Sequence, residues 1–243
     1  MTKTHTMKAF DEELDDLRTL VATMATMVEE AFSGAVRALL QPDIELARQV
    51  IERDPEIDAL KRKLVDHAAL VITRRQPMAG DLHEVLADFK IAEDLERIGD
   101  LAKNIAKRAA VIATDPQPQD VAADVERLAG LALAQVRLGL DAYMTRNAGQ
   151  ALAVRGQDYP IDALHTALFT QVLQRLAAGQ VHVAGLVHLL FCIKNIERVG
   201  DHATNIAEAA YLAATGALPA DERVTHDDSS TALTTRETGY IVR

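Results

Sequence analysis

The chain has 243 residues and a formal net charge of −10; 49% of its residues are apolar, 4% are aromatic, none is Trp and one is Cys. That length is ample for a sizeable core, and the acidic balance, with no basic stripe, excludes the positive footprint a nucleic-acid binder needs. One thiol allows no intrachain disulfide and suits a reducing cytosol.

The N-terminal "MTKTHTMKAFDEELDD" turns acidic where a signal peptide would be apolar. The greasiest run, "AGLVHLLFCI", is too short to span a membrane. The expected location is cytoplasmic. Abundant Ala and Leu, with few mid-chain Gly and Pro, predict an all-α fold.

From Phe10, the residues Leu14, Leu17, Val21, Met24, Val28, Ala31, Ala35 and Ala38 recur every third or fourth place. That seam predicts a helix of roughly 30 residues, about 45 Å long, which needs bundle partners. Pro42 ends it and Asp43 caps the next helix. This second helix is expected to about Arg75, with Val50, Ile57, Leu64 and Val71 as its stripe. "QPMAGD" reads as a turn. A third helix then carries Ile91, Leu95, Ile98, Ala102, Ile105, Ala109 and Ile112.

"TDPQPQD" is a linker, after which the pattern restarts with Val121, Val125, Leu128, Ala132, Val136, Leu140 and Tyr143. "NAGQALAVRGQDYPIDAL" aligns with "DIELARQVIERDPEIDAL", pairing Ala151 with Ala47 and Asp162 with Asp58. The last seam is Cys192, Ile196, Val199, Ala203, Ile206, Ala210 and Ala213. The expected organisation is two tandem three-helix units: an arm over 1–8, a first repeat over 9–113, a linker over 114–119, a second repeat over 120–215 and a polar, disordered tail over 216–243.

"LERIGDLAKNIAKRAA" and "IERVGDHATNIAEAA" repeat an acidic motif. Glu96 and Asp100 share one helix face with Asn104 a turn later, as do Glu197, Asp201 and Asn205; Asp54 with Asp58 and Asp158 with Asp162 make further i, i+4 pairs. Pro77 lies midway between the first two pairs and the Gly179 turn midway between the others, so each antiparallel hairpin brings four carboxylates to one level. Like charges at that spacing repel unless protons, basic partners or a cation neutralise them. An oxygen-only set suits hard ions such as Mg, Mn, Ca or oxidised iron, and His202 could join. With Ile98, Ala102 and Ile105 facing the core, the acids are expected on the outward side, open to water or a partner.

Acidic helix faces are commonly salt-bridged surfaces, and Arg97, Lys103 and Lys107 could neutralise the first motif. Their later counterparts include Thr204 and Glu208, so the acids persist where those basic neighbours do not. Gly99 and Gly200, each costing about 1 kcal/mol in a helix relative to Ala, suggest close approach by a backbone or ligand, or tight packing. His67, His83, His182 and His188 lack ligand spacing, Cys192 sits on a seam, and "HDD" at His226 carries little weight. No phosphate-cradling loop or nucleophile–base arrangement occurs.

The tandem motifs, with "RDPEID" and "QDYPID" upstream and "RRQPMAGDL" before the third helix, resemble the PhoU family of bacterial phosphate-signalling regulators, from about Phe10 to Gly216. The resemblance implies two three-helix bundles related by a pseudo-twofold, a homodimer, and a non-enzymatic cytoplasmic adaptor that restrains the phosphate-starvation response. It implies action through a PhoR-type sensor histidine kinase and a PstB-type ABC transporter ATPase, with the membrane reached only through partners. It further implies metal ions (iron, Mn, Mg or Zn) at Asp54, Asp58, Glu96, Asp100, Asp158, Asp162, Glu197 and Asp201. Pro55 and Pro160 fall at different places within the upstream pairs, so the two sites are not expected to be strictly equivalent. The alternatives are a di-iron carboxylate metalloenzyme, which needs inward Glu and Glu-x-x-His ligands, and a relative serving another transporter.

Overall fold

The computed structural model describes residues 2–78, 80–113, 119–157, 159–179 and 183–220, and all regular structure among them is helical. The helices are α1 (Thr2–Leu40), α2 (Ile44–Arg75), α3 (Gly80–Ile112), α4 (Gln119–Met144), α5 (Ala148–Arg155), α6 (Tyr159–Ala177) and α7 (Val183–Thr215). The segment expected as an arm is therefore helical from residue 2. Residues 114–118 of the expected linker, Asp158, His182 and the tail from residue 221, with His226, lie outside the described residues.

Local chemistry sets the breaks. Asp43 accepts a hydrogen bond from the Leu46 amide at 2.9 Å, capping α2 after the Pro42 stop. Gln76 closes α2 in the left-handed region, at φ 48° and ψ 57°, with its amide donating to the Ile72 carbonyl. α2 passes through Pro55 without a break. The second repeat differs: α5 stops at Gly156, and α6 starts with Pro160 as its second residue, where a missing amide hydrogen leaves no helical bond unmade. Two helices thus stand where the first repeat has one, and the helix expected as the sixth is α7.

The seams of all the long helices point into one continuous cluster that runs from Leu14 to Ala210 across both repeats. Leu17, Met24, Leu64, Ile91, Leu95, Ile98, Ile105, Leu128 and Ile193 are among its fully buried side chains. Each such burial contributes about 1.5–3 kcal/mol relative to exposure.

Within the first repeat α3 packs on α1 and α2, and within the second α7 packs on α4, α5 and α6. α3 and α7 also pack on each other, antiparallel, as the pairs Asp94–His202 and Arg108–His188 show. That pairing places the two acidic motifs level with each other at the centre of the molecule.

Two glycines of α4 make opposite demands. A Cβ on Gly139 would lie 3.2 Å from the Ala203 carbonyl oxygen and 3.5 Å from the Ala207 amide nitrogen, both backbone atoms of α7 that cannot swing aside. Nothing lies within 4 Å of a Cβ on Gly130. Gly130→Ala is expected to raise the urea unfolding free energy by about 0.5–1 kcal/mol through helix propensity. Gly139→Ala is expected to lower it by about 1–2 kcal/mol, since forcing α4 from α7 outweighs the same gain. Equal shifts for both variants would contradict the close approach.

Candidate functional site

The first hairpin folds about Pro77, and α2 and α3 meet with Asp54 opposite Asp100. The Lys103 ammonium lies between them, donating to Asp54 Oδ2 at 2.6 Å and Asp100 Oδ1 at 2.8 Å. One turn away, the Lys61 Nζ is 3.4 Å from Glu96 Oε1. Arg97 reaches both motif acids, with its Nε 3.5 Å from Glu96 and its Nη1 3.5 Å from Asp100. Asp58 shares an open hollow of about 370 Å³ with Lys61, Arg62, Asp66 and Glu96. Asp54, Asp58, Glu96 and Asp100 thus form one strip with two lysines threaded through it.

The strip does not face outward as expected. Asp54 is buried, as are Asp162 and Glu197, each 3% exposed, while Asp58, Glu96, Asp100 and Asp201 are half-buried. The reason is that α2 and α6 lie across this side of α3 and α7. Gly99 and Gly200 create the room: a Cβ on Gly99 would come 3.2 Å from Ile57 Cδ1, and one on Gly200 would come 2.9 Å from Ile161 Cδ1. Ile57 and Ile161 are the residues before Asp58 and Asp162 in the aligned segments. The duplicated glycine therefore serves side-chain packing, the simplest of the sequence readings.

In the second repeat Glu197 is paired with the Lys194 ammonium at 2.9 Å, one turn earlier on α7. This basic partner sits on the other side of the acid from the Lys103 and Lys107 positions, which the second repeat fills with Thr204 and Glu208. At the Lys103 position, Thr204 is fully buried; its hydroxyl donates to the Gly200 carbonyl and accepts from Gln135 Nε2. Glu208, the counterpart of Lys107, accepts from Arg155 at 2.8 Å and ties α5 to α7.

His202 does not join the acids: its Nδ1 is 2.8 Å from Asp94 Oδ1, and Asn205 Nδ2 donates to the same oxygen at 3.0 Å. Two residues of the second motif are therefore spent on joining the repeats. Asn104 is exposed. Among the described residues no three His, Cys, Asp or Glu side chains stand together in a way that could hold a metal ion. Carboxylate chemistry fits a hard cation, but in the first repeat ammonium groups already engage the oxygens it would need.

A second polar group escaped the sequence reading. Glu84 and Asp88 of α3 are buried, Asp88 completely, where α1 and α4 converge. Glu84 pairs with Arg18 of α1 and with Arg146 just beyond α4, and the Tyr143 hydroxyl donates to Asp88 Oδ1. The available signal was a further i, i+4 acidic pair flanked by seam residues; its partners come from remote segments. At the opposite end of α3, the Arg108 guanidinium stacks 4.1 Å over the Phe191 ring and contacts His188. Cys192 is fully buried, and desolvation pushes its thiol up to about 12, so it is packing, as its seam position suggested.

The PhoU domain family model matches residues 21–109 and 125–210. The phosphate-specific transport system accessory protein PhoU homolog of Rhizobium meliloti is 44% identical over 231 residues, spanning 95% of this chain and 98% of the relative. The protein of the same description from Zymomonas mobilis is 41% identical over 212 residues, spanning 87% and 89%. The crystal structure of PhoU from Pseudomonas aeruginosa superposes with a TM-score of 0.82 at 30% identity, covering 86% of this chain and all of that one. That of the phosphate transport system regulatory protein PhoU from Streptococcus pneumoniae gives 0.78 at 25% identity, covering 86% and 99%.

Asp88 has a charge state that answers to pH. Desolvation raises its pKa, the Tyr143 hydrogen bond opposes this, and nearby Glu84 adds to the rise, leaving it pushed up from 3.8 to about 7. Between those values the folded chain holds a proton that the unfolded chain has released, so this group's contribution to stability falls as pH rises and is gone above about pH 7. Asp88→Asn keeps a neutral acceptor for Tyr143 at every pH. Relative to wild type it should gain on the order of 3 kcal/mol between pH 4 and pH 8, read from urea midpoints. Parallel profiles for the two proteins would show that Asp88 does not titrate in this range.

Proposed function

Because the chain belongs to the PhoU family, with the domain matched in both halves and relatives 41–44% identical along most of its length, we propose that it is a negative regulator of the phosphate-starvation response. In this reading it is a non-catalytic cytoplasmic adaptor, joining a PhoR-type sensor histidine kinase to a PstB-type ATPase of a phosphate-specific ABC transporter. It works as a homodimer and meets the membrane only through those partners. No described helix is long and apolar enough to cross a membrane.

The observation that carries the reading is the doubled acidic motif held level by the α3–α7 contact. A protein that must present matched surfaces gains from fixing them on one rigid pair of long helices, since little ordering is left to occur on binding. The reading extends, by donor type alone, to a metal role for the acidic strips: Asp54, Asp58, Glu96 and Asp100 in one, where a cation would have to displace Lys103 and Lys61, and Asp162, Glu197 and Asp201 in the other, with Asp158 the remaining member by sequence. A hard cation there would neutralise mutual repulsion and stiffen each hairpin.

Deleting the chain should switch on a phosphate-starvation promoter in phosphate-replete cells, and the wild-type gene should restore repression. Affinity capture from the same cells should recover a transporter ATPase or a sensor kinase. Asp100→Ala with Asp201→Ala should weaken repression at least about fivefold while the circular-dichroism melt stays near that of wild type. Unchanged promoter output on deletion would overturn the regulatory reading; full repression by the double variant would remove the acidic motifs from it.

A further inference from the structure

We propose that the exposed face shared by α3 and α7 is a docking surface for an acidic, amphipathic helix of a partner protein, with an apolar residue of that helix seated beside Phe191. The proposal rests on the adaptor reading in taking the partner to be a protein, and it deepens that reading by naming the surface.

Each of the two helices is covered on three sides: α3 by α1, α2 and α7, and α7 by α3, α4 and the α5–α6 pair. One side of each is left free. On α3 from Lys90 onward the exposed positions are Lys90, Glu93, Arg97, Asn104, Lys107 and Val111, which the helical period sets in one stripe. On α7 a matching stripe runs through Val183, Val187, Phe191, Arg198 and Asn205. The stripes are neighbours. Lys90 and Arg97 line one hollow together with Asn205, and at the other end the Arg108 guanidinium lies 4.1 Å over the Phe191 ring.

Charge selects the occupant. The chain carries a net −10, yet the exposed charged residues of these stripes are four cations, Lys90, Arg97, Lys107 and Arg198, and one acid, Glu93. Arg97 leans on Glu96 and Asp100; among the described residues Lys90, Lys107 and Arg198 make no ion pair. No run of the sequence shows this basic face, because two helices from different repeats bring it together. Such a face steers and orients an acidic partner.

The far end is apolar, with Phe191 51% and Val111 63% exposed. Aromatic and arginine side chains are the usual anchors of protein interfaces, and here the guanidinium already holds the ring in place. From Lys90 to Val111 the stripe is roughly 32 Å long, the length of a partner helix of about 21 residues. A second copy of this chain fits poorly, since a twofold contact would double the excess of cations in one interface. A lipid or nucleic-acid surface is anionic throughout and would press phosphates against Glu93, Glu96 and Asp100, whereas a helix can set its carboxylates singly opposite the cations.

The test uses the purified full-length chain and a fluorescein-labelled synthetic helix of about 21 residues, with Leu and one Trp on one face and Glu on its flanks, followed by anisotropy. The same helix with Lys in place of Glu should not bind. Raising salt from about 0.05 to about 0.5 M should weaken binding of the acidic helix about tenfold. Lys107→Glu with Arg198→Glu should weaken it at least about twentyfold and Phe191→Ala about tenfold. If the reversed-charge variant melts early, Lys107→Ala with Arg198→Ala takes its place, with a loss of about fivefold. Arg48→Glu with Arg53→Glu, on an exposed part of α2, makes the same change in net charge and should stay within about threefold of wild type.

The proposal is overturned if the acidic helix does not bind, if folded variants of the face bind it as wild type does, or if the α2 variant loses as much. Phosphatidylglycerol vesicles or duplex DNA binding more tightly than the helix, with loss on the same substitutions, would give the face to a phosphate surface instead. A dimer split by Phe191→Ala in sedimentation would give it to a second copy. Purified components alone enter this assay, so its failure would leave the promoter test of the regulatory reading untouched.

Discussion

Two long helices, α3 and α7, run antiparallel through the middle of the molecule, and each is also the shared wall of its own bundle. Their inner faces carry Ile91, Leu95, Ile98, Ile105, Ile193, Ile196, Val199 and Ile206, all with essentially no exposure. A contact between ordinary domains is usually more polar and more mobile than a domain core; this one is continuous with the core on both sides. The consequence is that the two motifs hold a fixed separation and a fixed relative orientation. Polar ties fasten the joint at its middle, through Asp94 with His202 and Asn205, and at one end, through Arg108 with His188 and the Phe191 ring.

The charges show how a strongly acidic chain keeps carboxylates close to a core. At the hairpins the acids are buried or half-buried, and in the first repeat they are interleaved with lysine and arginine. At the α1–α3–α4 junction the environment is drier, and two different solutions stand side by side: Glu84 takes two guanidinium partners, while Asp88 accepts from the Tyr143 hydroxyl. Desolvation then favours the protonated acid. Two acids one turn apart on a single helix thus meet different partners.

The internal duplication is close in its apolar positions and loose in its polar ones. Gly99 with Ile57 and Gly200 with Ile161 make the same contact twice, because helix packing tolerates little change of shape. Lys103 and Thr204 do not match, nor do Lys107 and Glu208. Asn205 bonds across the repeats, whereas Asn104 is exposed. A protein built this way has two surfaces of common outline and different chemistry.

The amino-acid sequence by itself determined the long helices, most of their breaks and the bundle class, but not the α5–α6 break or the helical start of the chain. Seam periodicity, the Pro42–Asp43 stop and cap, and the turn at Pro77 act over a few residues, and the order of the two motifs carried the family. It also set Asp54 and Asp100 at one level of the antiparallel hairpin; that they share the Lys103 ammonium is tertiary. Tertiary structure alone decided which way the acids face and what neutralises them. α2 lies over the side of α3 that its own seam leaves free, a fact of helix placement that no single-helix pattern contains. The partners of Asp88, Glu84, Asp94 and Arg108 come from segments far along the chain, so their pairing is decided by tertiary structure alone.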